Sequence, residues 1–301
     1  MTATGKLVGL SVIAIAIMIV GLVWWLLPEP VPAPEIVEVA EVVEVVPDPE
    51  PVVTESVIGS SVEGRDIAAV TFGAGNTRLL FVGGVHGGYE WNSSLLAYEM
   101  IDHLTANPEL IPEDISVTII PSLNPDGMYM VTGKAGRFTA ADITDPSVRV
   151  AEARFNANGV DLNRNFACKW APESTWRGEV VSAGESAFSE PEAVALRTFI
   201  EANPPEVVAF WHSQANNVYA SECEDGVLPE TLQVMETYAV AGDYGQVPVF
   251  DAYPITGDAE GWLASLGIPA VTVELETHNS IEWSRNLAGT QALINQYSIA
   301  K

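Results

Sequence analysis

Three side chains of types that bind metal ions lie at two separate places in the sequence. His86 and Glu90 lie in the glycine-rich segment GGVHGGYEWN, and His212 lies in FWHSQ. Glu90 is the only acidic residue between Asp66 and Glu99, so it is the only carboxylate near His86 in sequence. A catalytic zinc ion takes three protein ligands from His, Glu or Asp and leaves one position for water. These residues therefore indicate a catalytic zinc site with His86, Glu90 and His212 as ligands.

Four apolar segments must position these groups, because each one ends at or near a polar residue. They are rich in β-branched and aromatic residues, as strands buried on both faces are, and they comprise residues 78–85, 115–123, 207–211 and 270–275. His86 follows the first segment and His212 follows the third, while Glu274 lies near the end of the fourth. In open α/β sheets ligands bind at the carboxyl ends of the strands, so the sequence predicts one site at this edge.

Helical patterns between these segments complete the predicted fold. Asn92 is the predicted N-cap of one helix, and Ser189 with Glu192 forms a predicted capping box at the start of another. The alternation of strands and helices predicts an α/β domain with a mixed, largely parallel sheet flanked by helices. His103 lies within the first of these helices, and we expect it to be solvated or to cap that helix; His278 follows the last strand, where we expect a loop position.

The amino-terminal region has a different composition. Residues 7–27 carry no charge, and 21 helical residues extend roughly 31 Å, enough to span a bilayer core. Because Lys6 and the N-terminus are the only positive groups before this stretch, we expect a membrane anchor over residues 1–28 with a cytoplasmic N-terminus. The alternative is a cleaved signal peptide. An acidic linker rich in Pro, Glu and Val is predicted over 29–54, and an extracytoplasmic domain over 55–301.

Charge and cysteine content narrow the expected partners and compartment. The net charge of −27 arises from 40 acidic and 13 basic residues, which argues against nucleic acid as a partner. Cys168 and Cys223 are the two cysteines of the chain. Outside the cytoplasm two cysteines more often pair than stay free, so we predict a disulfide between them. Two buried thiols are the alternative.

Eight segments, in order along the chain, resemble the zinc metallocarboxypeptidases similar to carboxypeptidase A, in a compact bacterial-type form. The resemblance covers nearly the whole predicted domain. The segments are IGSSVEGRDI (58–67), GGVHGGYEWN, NPDG, GVDLNRNF (159–166), SEPEA (189–193), WHS (211–213), YPITGDAEGW (253–262) and TVELE (272–276). Each segment alone is a weak signal, whereas eight in order are a strong one. The resemblance implies a carboxypeptidase-like fold and peptide hydrolysis.

The resemblance implies one zinc ion per chain, bound by His86, Glu90 and His212. The family's usual first metal-binding motif is His-x-x-Glu, whereas Glu90 here comes four residues after His86. We expect this segment to be a loop in which Gly87 and Gly88 absorb the additional residue. If they do not, the chain is a non-catalytic peptide-binding pseudo-enzyme.

The resemblance also implies roles around the scissile bond. Asn163 and Arg164 would hold the terminal carboxylate of the substrate, Arg164 through the two-pronged geometry of its guanidinium. Tyr253 would close over the bound substrate. Glu274 would be the general base, which takes a proton from the attacking water and delivers it to the leaving amine.

The arginine that polarises the scissile carbonyl has two candidates, Arg154 in RFNANGVDLNRN and Arg137 in GKAGRF, and we choose Arg154. By alignment, Asp258 and Glu260 fall where family members shape the pocket for the side chain of the departing residue. Acidic groups there would favour a cationic residue, either a C-terminal Lys or Arg or the diaminopimelate of bacterial wall peptides. The alternative is that both acids are solvated.

The leading functional hypothesis is thus a membrane-tethered, extracytoplasmic carboxypeptidase. The nearest alternative has the same chemistry but acts on peptidoglycan stem peptides. A deacylase or amidase would share the zinc site without recognising a terminal carboxylate, and the Asn163–Arg164 pair argues against it. A binding module that has lost catalysis is the hypothesis of another class.

Overall fold

The computed structural model describes residues 52–143 and 150–299. A single eight-stranded sheet forms its centre, with the strands in the order β1-β2-β4-β3-β7-β12-β8-β11. These strands are β1 (Val53–Ser60), β2 (Asp66–Phe72), β3 (Thr77–Val82), β4 (Ile115–Ile120), β7 (Val207–Ser213), β8 (Asn217–Ala220), β11 (Gly245–Val247) and β12 (Ala270–Leu275). The four central strands, β4, β3, β7 and β12, run parallel, and antiparallel pairs join β1 to β2, β2 to β4 and β8 to β12. The mixed, largely parallel sheet predicted from the sequence is therefore confirmed.

Two short ribbons lie outside this sheet. One pairs β5 (Glu173–Trp176) with β6 (Glu179–Ser182), and the other pairs β9 (Glu222–Cys223) with β10 (Gly226–Val227). Six α-helices accompany the strands in the described part of the chain. They are α1 (Trp91–Ala106), α2 (Pro125–Thr132), α3 (Pro191–Ala202), α4 (Pro229–Gly242), α5 (Ala259–Ser265) and α6 (Trp283–Ile299).

Helices cover both faces of the sheet, which explains the continuous apolar strands. Alternate residues of β3 enter different cores: Leu79 packs in one apolar cluster and Leu80 in the other. The first cluster includes residues of α1, α4 and α6, such as Leu96, and the second includes residues of α3 and α5, such as Leu196. Successive side chains of a strand point to opposite faces, so a strand buried on both faces carries apolar residues at every position.

The strands end earlier than two of the apolar segments do. β3 ends at Val82 and β4 at Ile120, whereas the predicted segments extend to residues 85 and 123. After these strands the chain leaves the sheet through Gly83 and Pro121, and the backbone N–H of Leu123 donates to the carbonyl of Gly83. The apolar residues beyond the strands are buried in connections that approach the site.

Both predicted helix caps are wrong. The helix α1 begins at Trp91, directly after a 3-10 turn over Gly87–Glu90, and Asn92 lies inside it. The amide nitrogen of Asn92 donates to the carbonyls of Thr277 (2.8 Å) and Ser280 (2.9 Å), so this side chain joins two segments instead of capping a helix.

The capping box at the start of α3 is replaced by other contacts. The helix begins at Pro191, and no side chain caps its first turn. Glu192 instead accepts the backbone N–H of Val62 at 3.1 Å, and the hydroxyl oxygen of Ser189 accepts the side-chain N–H of Asn165 at 3.0 Å. Long-range partners therefore take the groups that the local spacing assigned to the cap.

The predicted membrane anchor, residues 1–28, and most of the predicted linker lie outside the described residues. Within the described ranges, no helix is both long enough and apolar enough to cross a membrane. The strand β1 begins at Val53, at the end of the predicted linker.

Candidate active site

His86, Glu90 and His212 converge at the carboxyl edge of the sheet. His86 lies in the turn after β3, Glu90 ends the following 3-10 turn, and His212 is the penultimate residue of β7. Nδ1 of His86 is 2.8 Å from Oε1 of Glu90, and Nδ1 of His212 is 2.9 Å from Oε2 of the same carboxylate. The two Nδ1 atoms are 3.1 Å apart, and all three side chains are buried. One potential ligand atom from each residue thus lies within 4.8 Å of the others.

The donor set and its surroundings fit a zinc ion. Two imidazole nitrogens and a carboxylate are ligands that zinc uses, and three protein ligands leave a position for water. The opposite ring nitrogens lie near carboxylates without reaching hydrogen-bond distance: Nε2 of His86 is 3.6 Å from Asp161, and Nε2 of His212 is 3.6 Å from Glu260. Histidines that bind a metal generally donate their other N–H to such an acceptor, which fixes the ring and its tautomer.

The additional residue between His86 and Glu90 is accommodated in the 3-10 turn Gly87–Glu90, where we expected a loop. Gly87 has a φ of +45°, and a Cβ atom there would lie 2.6 Å from the carbonyl oxygen of Ala153. Only glycine satisfies both conditions without strain. The turn returns Glu90 to the ring of His86, so the longer spacing still brings both side chains to one point.

Charges within the cluster perturb its titration. Burial alone would raise the pKa of Glu90, but the neighbouring His86 and His212 hold it well below its ordinary value. Burial would lower the pKa of His212, but Glu90 and Glu260 outweigh this effect and raise the pKa to about 10. The cluster is therefore an acidic environment that favours a bound cation.

Glu274 lies on β12 beside the cluster. Its Oε2 atom is buried and has no hydrogen-bond partner among the described residues. Burial, followed by the nearby carboxylate of Glu90, raises the pKa of Glu274 to about 8. A carboxyl group that titrates near neutral pH can both accept and release a proton under working conditions, as a general base and acid must.

The structure brings Arg154, and not Arg137, to the cluster. Arg154 is buried, and its Nη1 atom is 3.7 Å from Oε1 of Glu90. Its Nε atom donates to Oδ2 of Asp161 at 2.9 Å, and its Nη2 atom forms an ion pair with the same oxygen at 2.9 Å. Arg137 is half exposed and pairs with Asp102 at 2.9 Å, away from the cleft.

Asp161 is a site residue that our sequence analysis missed. It is fully buried between Arg154 and His86, and its Oδ1 atom accepts the backbone N–H of Asn163 at 3.1 Å. Burial alone would raise the pKa of Asp161, but the charge of Arg154, with help from His86, holds it far below its ordinary value. The segment GVDLNRNF contains it, only two residues before Asn163, but nothing local distinguishes it from a surface acid.

A cleft of about 830 Å³ extends from the cluster, and all the predicted substrate-binding side chains line it. Arg164 is buried: Nη1 donates to the carbonyl of Asn163 at 2.6 Å, while Nε has no partner in the described part of the chain. Asn163 accepts the backbone N–H of Ala259 at 2.9 Å. Gly257 allows the close packing here, since a Cβ atom on it would lie 2.1 Å from the carbonyl oxygen of Arg164.

The two predicted pocket acids differ in their surroundings. Asp258 caps α5 by accepting the N–H of Gly261 at 2.7 Å, and burial, together with Glu260, raises the pKa of Asp258 to about 6. Glu260 is buried rather than solvated; it accepts the hydroxyl of Thr272 at 2.9 Å and also faces His212. The contact between Glu260 and His212 was not predicted.

The rim of the cleft contains the remaining predicted residues. Tyr253 is 46% exposed, with its ring 4.8 Å from that of Phe250. A disulfide joins Cys168 to Cys223, and the residues adjacent to it, Lys169 and Glu222, line the cleft. This bond therefore ties two walls of the cleft together.

Several cleft residues were not predicted at all. His278 does follow the last strand, but its Nδ1 atom is 2.7 Å from the hydroxyl of Ser213 and its ring lies 5.2 Å from that of Tyr89. Trp176 and Arg177, at the tip of the β5–β6 ribbon, line the same wall. No local pattern links these positions, because the packing of the ribbon against the cleft brings them together.

Comparison with known proteins agrees with this geometry. The model of the zinc carboxypeptidase family matches residues 42–282. Gamma-D-glutamyl-L-diamino acid endopeptidase 1 of Lysinibacillus sphaericus is 25% identical over 240 residues, which cover 72% of this chain and 59% of that protein. The chain therefore matches about three fifths of the length of this relative.

Two solved structures share the fold. Bovine thrombin-activatable fibrinolysis inhibitor, in complex with tick carboxypeptidase inhibitor, has a TM-score of 0.62 and 21% identity over 82% of this chain and 89% of that one. The murein-tripeptide amidase of Escherichia coli O157 has a TM-score of 0.57 and 22% identity over 82% of this chain and 92% of that one. With the family match over most of its length and a His-Glu-His cluster that suits zinc, the chain belongs to the zinc carboxypeptidase family, a family of zinc-dependent peptidases.

Proposed function

We propose that this protein is a zinc-dependent carboxypeptidase that hydrolyses the C-terminal peptide bond of its substrate. The observation that carries the proposal is the environment of Arg164. Its guanidinium is buried in the cleft that holds the metal cluster, and its Nε–H has no acceptor among the described residues. A buried donor without an acceptor is costly, and a substrate carboxylate would satisfy it.

Residues of this chain have separate roles in the proposed reaction. A bound zinc ion supplies Lewis acidity to the scissile carbonyl and lowers the pKa of water. Glu274 takes the proton of the attacking water and gives it to the leaving amine. Arg154 stabilises the negative charge that develops on the carbonyl oxygen, an effect worth about 3–4 kcal/mol for one well-placed donor. Asp161 holds Arg154 in place through a hydrogen bond from Nε and an ion pair with Nη2, both at 2.9 Å.

The side chain of the departing residue would lie near Glu260 and Asp258. Glu260 is buried, and the net effect of its surroundings lowers its pKa, because the contacts with His212 outweigh its burial. A buried carboxylate that lines the cleft favours a cationic group in the substrate. The proposed preference is therefore for a C-terminal residue with a positively charged side chain, and Tyr253 would close over it from the rim.

Peptidoglycan stem peptides are the second candidate substrate class. Two observations favour them: the relatives whose names specify diamino-acid and murein peptides, and a cleft that holds both acidic side chains and Arg164. Diaminopimelate carries an ammonium and a carboxylate on its side chain, so it could use both kinds of partner. In either case we propose that residues 1–28 anchor the protein in the membrane and that the domain acts on its outer face.

Matched peptides test the proposal. Peptides ending in Ala-Lys, Ala-Phe or Ala-diaminopimelate, each with a free or an amidated C-terminus, are incubated with the zinc-loaded protein. We expect cleavage of the free acids and at least a hundredfold lower kcat/KM for the amides, since a charge-assisted carboxylate pair is lost. We expect Arg164→Met to abolish this difference.

Two other outcomes have distinct meanings. If Arg164→Met retains full activity on carboxyl-blocked substrates, the protein is a deacylase or amidase. If Glu260→Gln does not reduce the preference for Lys over Phe, Glu260 does not select the departing residue. A higher kcat/KM for the diaminopimelate peptide than for the Lys peptide would favour the wall-peptide candidate.

A further inference from the structure

The β5–β6 ribbon presents an arginine to the cleft. Trp176 pairs with Glu179, so Arg177 and Gly178 form a two-residue turn with φ values of +54° and +85°. Positive φ at both positions is typical of the type I′ turn, in which Asn or Gly is the usual first residue. An arginine in this conformation is unfavourable for the fold alone, which suggests a functional reason for its presence.

Arg177 has a polar contact but no opposing charge. Its Nη1 atom donates to the phenolic oxygen of Tyr89 at 3.1 Å, and its side chain lines the cleft. Of the carboxylates that the structure describes, none forms an ion pair with Arg177. Because guanidinium has donors only, the oxygen of Tyr89 accepts this bond, and its own hydrogen can still be donated to a ligand. The pair thus offers several donors to one anion.

The charge distribution of the chain supports the same conclusion. The chain has 13 basic and 40 acidic residues, yet four basic side chains line this one cleft. They are Arg154, Arg164, Lys169 and Arg177. Arg154 pairs with Asp161 and Lys169 with Glu222. Among the described residues no carboxylate forms an ion pair with Arg164 or Arg177, so each of these two guanidinium groups can bind a negative group of the substrate.

The position of Arg177 assigns it to one side of the scissile bond. Tyr89 directly precedes the ligand Glu90, and the ring of Trp176 lies 4.7 Å from the guanidinium carbon of Arg154. The predicted carboxylate-binding residue Arg164 lies beside the segment that carries Asp258, where a Cβ atom on Gly257 would be 2.1 Å from the carbonyl oxygen of Arg164. On the proposed function, which this step assumes, a substrate bound to Arg164 extends its acyl side past the metal cluster toward Tyr89, Trp176 and Arg177.

We propose that Arg177, together with Tyr89, binds a carboxylate of the acyl residue, the residue before the scissile bond. Preferred substrates then have an acidic residue at that position. The carboxylate could be the side chain of an α-linked Asp or Glu, or the free α-carboxylate of a glutamate linked through its side chain. Both sources present the same group to Arg177, and substrates can distinguish them.

Three peptides that differ only in the acyl residue test the proposal. They are acetyl-Ala-X-Lys with X as Gln, as α-linked Glu and as γ-linked Glu. For the wild type we expect kcat/KM to be about tenfold higher for at least one Glu peptide than for the Gln peptide, which is the ratio given by one charge-assisted hydrogen bond. The Glu peptide that shows the preference identifies the source of the carboxylate.

Variants assign the effect to Arg177. Asn suits positive φ, so Arg177→Asn keeps the turn while removing the charge, and we expect the Glu-to-Gln ratio to fall to about one. Arg177→Lys should retain part of the preference. Arg78→Gln removes the same charge from an exposed position at the amino end of β3, the opposite edge of the sheet, and should keep the tenfold ratio.

Each outcome decides between the two proposals. Equal cleavage of all three peptides by the wild type would overturn the role of Arg177 and leave the proposed carboxypeptidase function intact. If Arg177→Asn still prefers the Glu peptide over the Gln peptide, a residue other than Arg177 binds the carboxylate of the acyl residue. If no peptide with a free C-terminus is cleaved, the proposed function fails, and the role of Arg177 fails with it.

Discussion

Glu274 and His212 are register partners on the neighbouring parallel strands β12 and β7. The sheet itself therefore sets the general-base candidate beside a metal ligand, without depending on a loop. The carboxylate of Glu90 contacts His212 at 2.9 Å and also helps to raise the pKa of Glu274 to about 8. The metal ligand His212 and the general-base candidate Glu274 are thus linked by electrostatic interactions as well as by backbone pairing.

Replacing Glu274 by glutamine should abolish catalysis and preserve the metal site. The amide cannot take a proton, so we expect kcat to fall about 10²- to 10⁴-fold, whereas zinc content should stay at the wild-type value. Steady-state kinetics and elemental analysis measure the two quantities. Glu276→Gln is the matched control, because Glu276 is 60% exposed and two residues away. Retention of more than a tenth of the wild-type kcat would show that Glu274 is not the base.

The raised pKa of Glu274 should appear in the stability of the metal-free protein. The carboxyl group of Glu274 loses its proton near pH 4.5 in the unfolded state but only near pH 8 in the folded state. Between these pH values only the folded state keeps the proton. This contribution is therefore complete at low pH and disappears as the pH rises through about 8, with a slope of at most about 1.4 kcal/mol per pH unit. Compared with Glu274→Gln, the wild type should lose stability between pH 5 and pH 8.

Denaturant unfolding of both proteins from pH 5 to pH 9 measures this difference. The comparison with Glu274→Gln cancels the titration of the groups that do not interact with Glu274, because both proteins contain them. A stability difference that is constant across this range would show that Glu274 titrates at its ordinary pKa, and its assignment as a buried acid would be wrong.

The sequence predicted the elements of the site better than the contacts between them. Apolar segments that end at polar residues located the strands and the edge on which His86, His212 and Glu274 meet. The cap predictions at Asn92 and Ser189 failed because these side chains have partners outside their own helices. Those partners depend on how the chain folds back, which residue spacing cannot reveal.

The same reason explains the residues that were missed. Asp161 and Arg177 have ordinary local surroundings in the sequence, and only the tertiary structure puts one between Arg154 and His86 and the other against Tyr89. Gly87 is the opposite case: its residue type already indicated a constrained backbone, and its φ of +45° bears this out.

Replacing Asp161 by asparagine should damage the metal site and the fold together. Asp161 accepts donors on both oxygens, from Arg154 on Oδ2 and from Asn163 on Oδ1, whereas asparagine has a single acceptor oxygen. In the asparagine variant, either Arg154 or the backbone N–H of Asn163 therefore faces an NH₂ group, which cannot accept its hydrogen bond. We expect a loss of several kcal/mol of stability, as for other broken buried ion pairs, and about a 10- to 100-fold weaker zinc affinity.

Chelator competition measures the zinc affinity, and denaturant unfolding measures the stability. Asp102→Asn provides a control in a different environment, since the pair of Asp102 with Arg137 has the same 2.9 Å length but is 61% and 48% exposed. We expect a change of only about 0–1 kcal/mol in that control. Equal effects of the two substitutions would contradict a special role for Asp161.

Zinc uptake should be stoichiometric and should release protons. We expect one zinc per chain, lost in both Glu90→Gln and His212→Ala. Because the pKa of His212 is raised to about 10, the histidine is protonated at pH 7 and must lose its proton to bind metal. Calorimetric titrations in buffers of different ionisation enthalpy should therefore give different apparent enthalpies. A reconstituted wild type without zinc would support the pseudo-enzyme hypothesis.

The disulfide between Cys168 and Cys223 should stabilise the cleft as well as the fold. The two cysteines are separated by 55 residues, and closing a loop of this length is worth about 4 kcal/mol by the chain-entropy relation. The double serine variant should lose about that much stability in denaturant unfolding. Since Lys169 and Glu222 next to the bond line the cleft, KM should rise more than kcat falls. Reductant should mimic the variant in the wild type and leave the variant unchanged; an equal effect on both proteins would mean that the reductant acts elsewhere, for instance on the zinc.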